Sequence, residues 1–375
     1  MEPSILARSQ TSQRRKVAVA RPRRVRIRGL RKIKNTELGP FTQKLAAMLD
    51  AGLPLIQCME ALSEQTDNPE FRKIIISLKE RIEGGDSFAE ALRRYDMLFG
   101  DLYVNMIQAG EIGGGLSEVT ERLASYLEAS ASLRRRVKAA MTYPVIVMVL
   151  ALILTIAMLV FIVPTFAEIY KDFDATLPGP TQMLVKISEI LRGYAPWVLL
   201  AGGAAGYGLH RFKKTEQGGL IFDRYVLRSP VAGPLIEKIA LARMSRTFAS
   251  LVRSGVPILK TLEIVSQATG NKYIGKALSR CEGDIEGGAN IASSLKSTNQ
   301  FPPMVIHMIA AGEKTGDIDG MLEKVADFYE DEVTNSLESL SSMIEPLLMA
   351  FLGVVIGGIV ICMFLPIFKM HEIVQ

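Results

Sequence analysis

The chain has 375 residues but only three cysteines, three histidines and one tryptophan, and aromatic residues make up 7% of it. Cys58, Cys281 and Cys362 are too few for a disulfide framework, so structural disulfides are not expected and a reducing compartment suits the soluble parts. His210, His307 and His371 stand apart from one another and from any cysteine pair, which excludes a zinc or histidine-based catalytic constellation. Gly312-Glu313-Lys314-Thr315 has the Lys-Thr pair of a phosphate-binding loop but not the glycine before lysine, and its context is helical rather than strand-to-helix. No nucleophile elbow and no Ser-His-Asp pattern occurs. No cofactor or metal, and no enzymatic activity, is therefore expected. Charge is missing altogether from 139–167 and from 346–368. So few charges inside apolar runs argue against an ion or proton pathway.

What is present is aliphatic and repeated. Hydrophobic residues make up 49% of the chain, which suits helix packing together with membrane spans. Leu45–Glu64 and Phe248–Gln267 superpose at a constant offset of 203, with Ala46/Ala249, Gly52/Gly255, Pro54/Pro257, Glu60/Glu263 and Ser63/Ser266 identical. Ile-Glu-Gly-Gly at 82–85 recurs at 285–288, and the offset then falls to 202. Ala109-Gly110-Glu111 recurs as Ala311-Gly312-Glu313, and Pro144 and Pro164 recur as Pro346 and Pro366. Two soluble blocks, each running into an uncharged span opened by a proline, imply a duplication.

The net charge of +5 conceals an uneven distribution. Residues 1–35 carry twelve Lys or Arg against Glu2 alone, so the rest of the chain is acidic. The arm, taken as 1–38, reads as disordered. Its Arg14-Arg15 pair is not an export signal, because Arg21, Pro22, Arg23 and Arg24 follow where an apolar segment is needed. No base-reading module accompanies it, so nucleic acid is not expected as a partner; an anionic membrane surface or an acidic protein is the better match.

A first cytoplasmic helical bundle is expected over 39–143, with helices near 55–65, 69–83, 87–93 and 101–109 and turns at Asp67-Asn68-Pro69, Gly84-Gly85 and Gly113-Gly114-Gly115. From Leu116 the positions Val119, Leu123, Leu127, Leu133 and Val137 hold one face of a long helix. That helix is expected to continue into a first transmembrane helix, 144–164. Arg134, Arg135, Arg136 and Lys138 just before it place its start in the cytoplasm. A periplasmic loop follows over 165–194, broken at Leu177-Pro178-Gly179-Pro180. The stretch 195–210 is short and rich in small residues. It is assigned as a second crossing because two homologous blocks belong on the same side of the membrane. The second bundle, 211–345, leads into a third transmembrane helix, 346–368, and a periplasmic tail, 369–375. The fold expected is an all-α membrane protein with two duplicated cytoplasmic bundles and three transmembrane helices. Gly202 with Gly206, and Gly353 with Gly357, offer small-residue faces for helix packing.

The halves differ in charge. Glu313–Glu345 holds ten acidic residues and two lysines, whereas Glu111–Tyr143 holds four Glu and five Lys or Arg. A solvated acidic face and a face that pairs with another helix, subunit or partner are both consistent with this. The recurring Ala-Gly-Glu has two readings as well. The acid may be read as a cap on a helix terminus, or Glu111 with Glu118, and Glu313 with Asp317 and Asp319, as oxygen ligands for a hard cation such as calcium.

The duplicated block with Ala-Gly-Leu-Pro-Leu at 51–55, the two Ala-Gly-Glu triplets, Tyr143-Pro144, Glu345-Pro346 and Val163-Pro164 resembles the inner-membrane platform proteins of type IV pilus and type II secretion machines, the type II secretion system protein F family. The resemblance covers about 41–368, and Phe173-Asp174-Ala175 followed by Leu177-Pro178 is similar to the pilus branch. It implies a bacterial inner-membrane protein, N-terminus cytoplasmic and C-terminus periplasmic, that forms homo-oligomers among membrane lipids. It further implies a chain without enzymatic activity that couples a hexameric assembly ATPase to extraction of pilin or pseudopilin, alongside inner-membrane alignment proteins. Gly110, Glu111, Gly312 and Glu313, and Pro144, Pro164, Pro346 and Pro366, are the residues on which coupling would turn. The rival reading is a small parallel-repeat transporter or channel; a membrane-bound ATPase is a third.

Overall fold

The computed structural model describes residues 33–172, 178–230 and 232–373, and every regular element among them is helical. Residues 1–32, where most of the basic arm falls, and 173–177, which include the Phe173-Asp174-Ala175 motif, lie outside the described residues. Residues 33–38, expected as the end of the arm, are helical. Ile33–Glu37 forms a π-helical turn in front of α1 (Leu38–Asp50), and the buried Ile33 and Leu38 hold it on the bundle.

After α1 come α2 (Leu55–Glu64), α3 (Pro69–Glu83), α4 (Phe88–Arg93), α5 (Asp96–Gly113) and α6 (Leu116–Ala157). Their counterparts in the second half are α10 (Ala232–Arg253), α11 (Ile258–Ala268), α12 (Lys272–Glu286), α13 (Ile291–Ser297), α14 (Pro303–Thr315) and α15 (Ile318–Ile373). Between the halves lie α7 (Val163–Asp172), which continues α6 through a π-helical turn at Met158–Ile162, then α8 (Gly179–Lys214) and α9 (Glu216–Leu227).

The duplication is visible in backbone detail. Gly52 and Gly255 end the first helices with φ of +79° and +78°, a left-handed conformation that costs glycine nothing. The Asn68 side chain accepts from the Glu70 and Phe71 amides, as Asn271 does from Tyr273 and Ile274, so both third helices start under the same cap. Helix α5 is longer than expected. It begins at Asp96, bends at Gly100, and runs to Gly113, so that Ala109-Gly110-Glu111 lies inside a helix and not in the turn after one.

Both repeats contribute to one continuous apolar core, from Leu45, Met59 and Leu78 in the first to Phe248, Leu262 and Val305 in the second. Val119, Leu123 and Leu133 of α6 are buried in it, and Leu116, Leu127 and Val137 pack against it. The long helices α6 and α15 run in parallel: Arg122 and Glu323 line one crevice, and further along Arg136 Nη1 donates to Thr334 Oγ1 at 3.3 Å. Tyr126 and Thr247 hydroxyls, 3.2 Å apart, join α6 to α10. Much of the acidity of α15 is answered inside its own bundle. Arg246 of α10 reaches Asp327 at 2.5 Å and Glu330 at 2.9 Å, Arg253 reaches Glu323 at 2.9 Å, and Lys238 reaches Glu332 at 2.7 Å.

Among the described residues two helices are long and apolar enough to cross a membrane, within Leu116–Ile169 and Ile318–Leu365. Only 6% and 17% of their most apolar windows are buried in the chain, so those windows are not part of the bundle core. The expected second crossing at 195–210 does not stand alone. It is part of α8, 36 residues long, which starts at Gly179 because Pro180 in the first turn has no amide to lose there. Residues 179–194 are thus helical where a loop was expected. No atom outside their own helix lies within 4 Å of a Cβ placed on Gly202, Gly206, Gly353 or Gly357. Among the described residues, nothing packs directly on these four positions.

Cys58 and Cys281 are fully buried, and burial pushes their thiols above the ordinary range, that of Cys281 to about 11. At pH 7.5 the folded protein is expected to take up maleimide at neither, and to do so only after denaturation. Rapid stoichiometric labelling of either in the native state would show that the bundles are not packed as described.

Candidate functional site

Two kinds of junction link the bundles to the apolar segments, and each occurs twice. The first is built from the Ala-Gly-Glu triplets. Gly110, near the end of α5, lies under the first turn of α6; a Cβ there would stand 3.0 Å from Val119 Cβ and 3.3 Å from Leu116 Cα. Gly312 of α14 is tighter, its Cβ position falling 2.8 Å from Ile318 Cα and 3.0 Å from the Asp317 carbonyl oxygen. Glycine is what allows the short helix to lie against the root of the long one.

The next residue ties in a third helix. Glu111 Oε1 and Oε2 accept from the amides of Phe88 (2.6 Å) and Ala89 (2.9 Å), the first residues of α4. Glu313 does the same for Ile291 (2.6 Å) and Ala292 (3.1 Å) at the start of α13. The carboxylate meets otherwise unpaired amides at the positive end of a helix. The capping reading therefore has the right chemistry on the wrong helix. These acids do not open the long helices; they cap helices that begin some 22 residues earlier. The repeats are not equivalent here. In the first, Ser87 and Glu90 add a capping box to α4, whereas Asn290 offers α13 no side-chain cap.

The other polar groups near the triplets are committed elsewhere. Glu118 pairs with Arg122, and Asp317 Oδ1 accepts from the Gly320 amide at 3.1 Å at the head of α15. Among the described residues no three acidic, His or Cys side chains gather around a common point. Lys314-Thr315 ends α14, with Thr315 Oγ1 donating to the Ala311 carbonyl at 3.0 Å, so it forms no phosphate loop.

The second junction is made by the prolines. Pro144, buried, and Pro346, exposed, both lie inside unbroken helices. Pro164 and Pro366 lie farther along the same helical runs. Each removes the amide that would bond to the carbonyl four residues earlier, freeing Val160 and Cys362, which are equivalent at the offset of 202. Both carbonyls are met by α8. Arg192 donates to Val160, Ser188 donates to the adjacent Leu159, and Thr181 Oγ1 donates to Cys362 at 2.6 Å. Leu184 and Val185 of α8 fill the space around the buried Val163, Ile359 and Met363. In apolar surroundings an unpaired carbonyl costs several kcal/mol, so α8 acts as a clasp at both prolines. Sequence reasoning missed Thr181, Ser188 and Arg192 by placing them in a loop. Their spacings of seven and four, one face of a helix, were the signal available.

The profile of the family described as "Type II secretion system (T2SS), protein F" matches this chain twice, over residues 41–164 and 244–366. The two matches fall on the two repeats, each from the first helix of a bundle to the proline at the far end of its apolar segment. The type IV pilus assembly protein PilC of Myxococcus xanthus is 41% identical over 351 residues, 94% of this chain and 84% of its own length. The protein of that name from Thermus thermophilus is 43% identical over 334 residues, covering 89% and 82%. The type II secretion system protein F of Xanthomonas campestris pv. campestris is 31% identical over 336 residues, covering 90% and 83%.

Glu313→Ala leaves two amides of α13 unpaired and is expected to destabilise the second bundle by roughly 1–3 kcal/mol. Glu111→Ala is expected to cost less, because the Ser87 capping box remains. Equal losses of thermal stability would contradict this account of the caps. Thr181→Val with Ser188→Ala is expected to speed amide exchange at 158–166 and 362–368 while leaving the bundles protected; unchanged exchange there would mean the clasp bears no load.

Proposed function

This chain belongs to the Type II secretion system protein F family, and we propose that it is the inner-membrane platform of a type IV pilus machine. In this role it passes the motion of a cytoplasmic hexameric ATPase to pilin subunits leaving the bilayer. The observation that carries the reading is continuity. Helix α6 runs without a break from the bundle into one apolar segment, and α15, 56 residues long, runs into the other. At ~1.5 Å per residue α15 is a rod of about 84 Å. Displacement of a bundle is thereby carried into the membrane with no flexible joint to absorb it. The pilus branch is favoured because the relatives named for type IV pilus assembly cited above are 41% and 43% identical, against 31% for that named for type II secretion.

The topology in this proposal has three crossings. The basic residues Arg134–Lys138 mark the cytoplasmic side of the first, α8 makes the second, and Arg211, Lys213 and Lys214 at its end return to the cytoplasm. The third leaves the C-terminus in the periplasm. The chain has no hydrolytic work of its own: the ATPase supplies energy, pilin or pseudopilin is the cargo, and alignment proteins and further copies of the chain complete the base. Gly110-Glu111 and Gly312-Glu313 are where a push on a bundle reaches the long helices. Pro144 and Pro346 stand where those helices enter the membrane.

Co-expression with candidate assembly ATPases is the test. Stable co-purification of the detergent-solubilised chain, with ATP turnover seen only when the ATPase is present, is the expected outcome. Substrate flux in proteoliposomes of the chain alone, or turnover by it alone, would favour a transporter or an ATPase instead. Pro144→Ala and Pro346→Ala are expected to lower fibre assembly while the protein still inserts; normal piliation in both would remove these prolines from the mechanism.

A further inference from the structure

A cleft of about 890 Å³ separates the first bundle from the end of α11, roofed by Phe99–Tyr103 with Ile264, Gln267 and Ala268, and walled by α6 between Leu123 and Lys138. Its charges are unequal. Arg134, Arg135 and Lys138 line it, and Asp101 is the one acid among the lining residues. All three cations are exposed and lie at the end of the wall nearest the uncharged run that begins at Ala139. From Arg134 to Lys138 the helix rises about 6 Å at ~1.5 Å per residue, close to the depth of one headgroup layer, about 5–7 Å. The Arg135 pair with Glu128, 2.6 Å long, is exposed on both sides and so is weak enough to exchange.

Thr36 and Leu38, in front of and at the start of α1, line the same cleft. Arg243 has its guanidinium pushed below the ordinary arginine range by burial; Tyr126 opposes that shift and the charge of Arg134 adds to it.

We propose that the mouth of this cleft holds the phosphate headgroup of an anionic phospholipid of the cytoplasmic leaflet, bound by Lys138, Arg135 and Arg134. This rests on the topology proposed above, in which those residues face the cytoplasm. The concave shape distinguishes the site from the diffuse attraction that any basic juxtamembrane segment exerts. Arg211 and Lys214, at the end of α8, are equally basic and lie outside the cleft, which makes them the natural control.

The full chain is reconstituted in nanodiscs of phosphatidylglycerol and phosphatidylcholine, returned to detergent, and its retained lipid measured by native mass spectrometry. Retention of phosphatidylglycerol is expected, falling at least fivefold in Arg135→Gln/Lys138→Gln and less than twofold in Arg211→Gln/Lys214→Gln. Ala131→Trp, which narrows the cleft at constant charge, is expected to behave like the first pair. Equal losses in the two charge pairs, or retention of phosphatidylcholine alone, would overturn the proposal. Displacement of the lipid by millimolar inorganic phosphate would instead assign the site to a soluble phosphate and overturn the lipid assignment. A chain that fails to enter nanodiscs at all would count against the membrane topology; one that enters without enriching phosphatidylglycerol would count against this site alone.

Discussion

A helix that passes from water into an apolar layer must keep each backbone group bonded along the whole way, and proline breaks that rule at a fixed place. Pro164 and Pro366 each orphan one carbonyl, and Thr181, Ser188 and Arg192 of α8 bring the donors. The position of α8 follows from this need. So does the association of the two apolar segments, since neither freed carbonyl is bonded by a side chain of its own repeat. A duplicated unit that could not complete itself acquired its completion from the linker between the copies.

At the other end of the long helices the same logic operates in water. Four amides at each helix start have no partner within the helix, and the first two of α4 and α13 are taken by a glutamate from a neighbouring helix. Because the preceding residue is glycine, the neighbour lies close enough to touch the root of α6 or α15 as well. Three helices meet through two adjacent residues. The charge divergence between the halves leaves this geometry alone and is spent mainly on α15, where acids pair with Arg246, Arg253 and Lys238 of α10.

Much of this arrangement was legible in the sequence, and the parts that were not share a cause. Periodicity gave α2, α3 and α4 almost to the residue, and the buried face of α6, because those depend on local pattern alone. The duplication was readable because glycines and prolines in matching places keep their backbone roles. The triplets were misplaced by a glycine: Gly110 looks like a turn signal, and only the packing of α6 against it shows why a helix keeps it. Glu111 points across 22 residues of sequence, and no local rule finds such a partner. The extent of α8 was hidden by Pro178-Gly179-Pro180, read as the middle of a loop when it marks a helix start. The small-residue stripes at Gly202 and Gly353 were visible but find no counterpart among the described residues.

The parallel course of α6 and α15 has a geometric consequence. A gene duplication that placed an odd number of crossings in each copy would have delivered the second copy to the opposite face of the membrane, inverted. One intervening helix restores parity, so in the proposed topology the two copies are related by a rotation about the membrane normal rather than about an axis lying in its plane. The chain is then a pseudo-dimer whose two arms point the same way but carry different charges. A neighbour with strict rotational symmetry would meet two unlike arms in alternation, so its identical subunits would not all face the same surface.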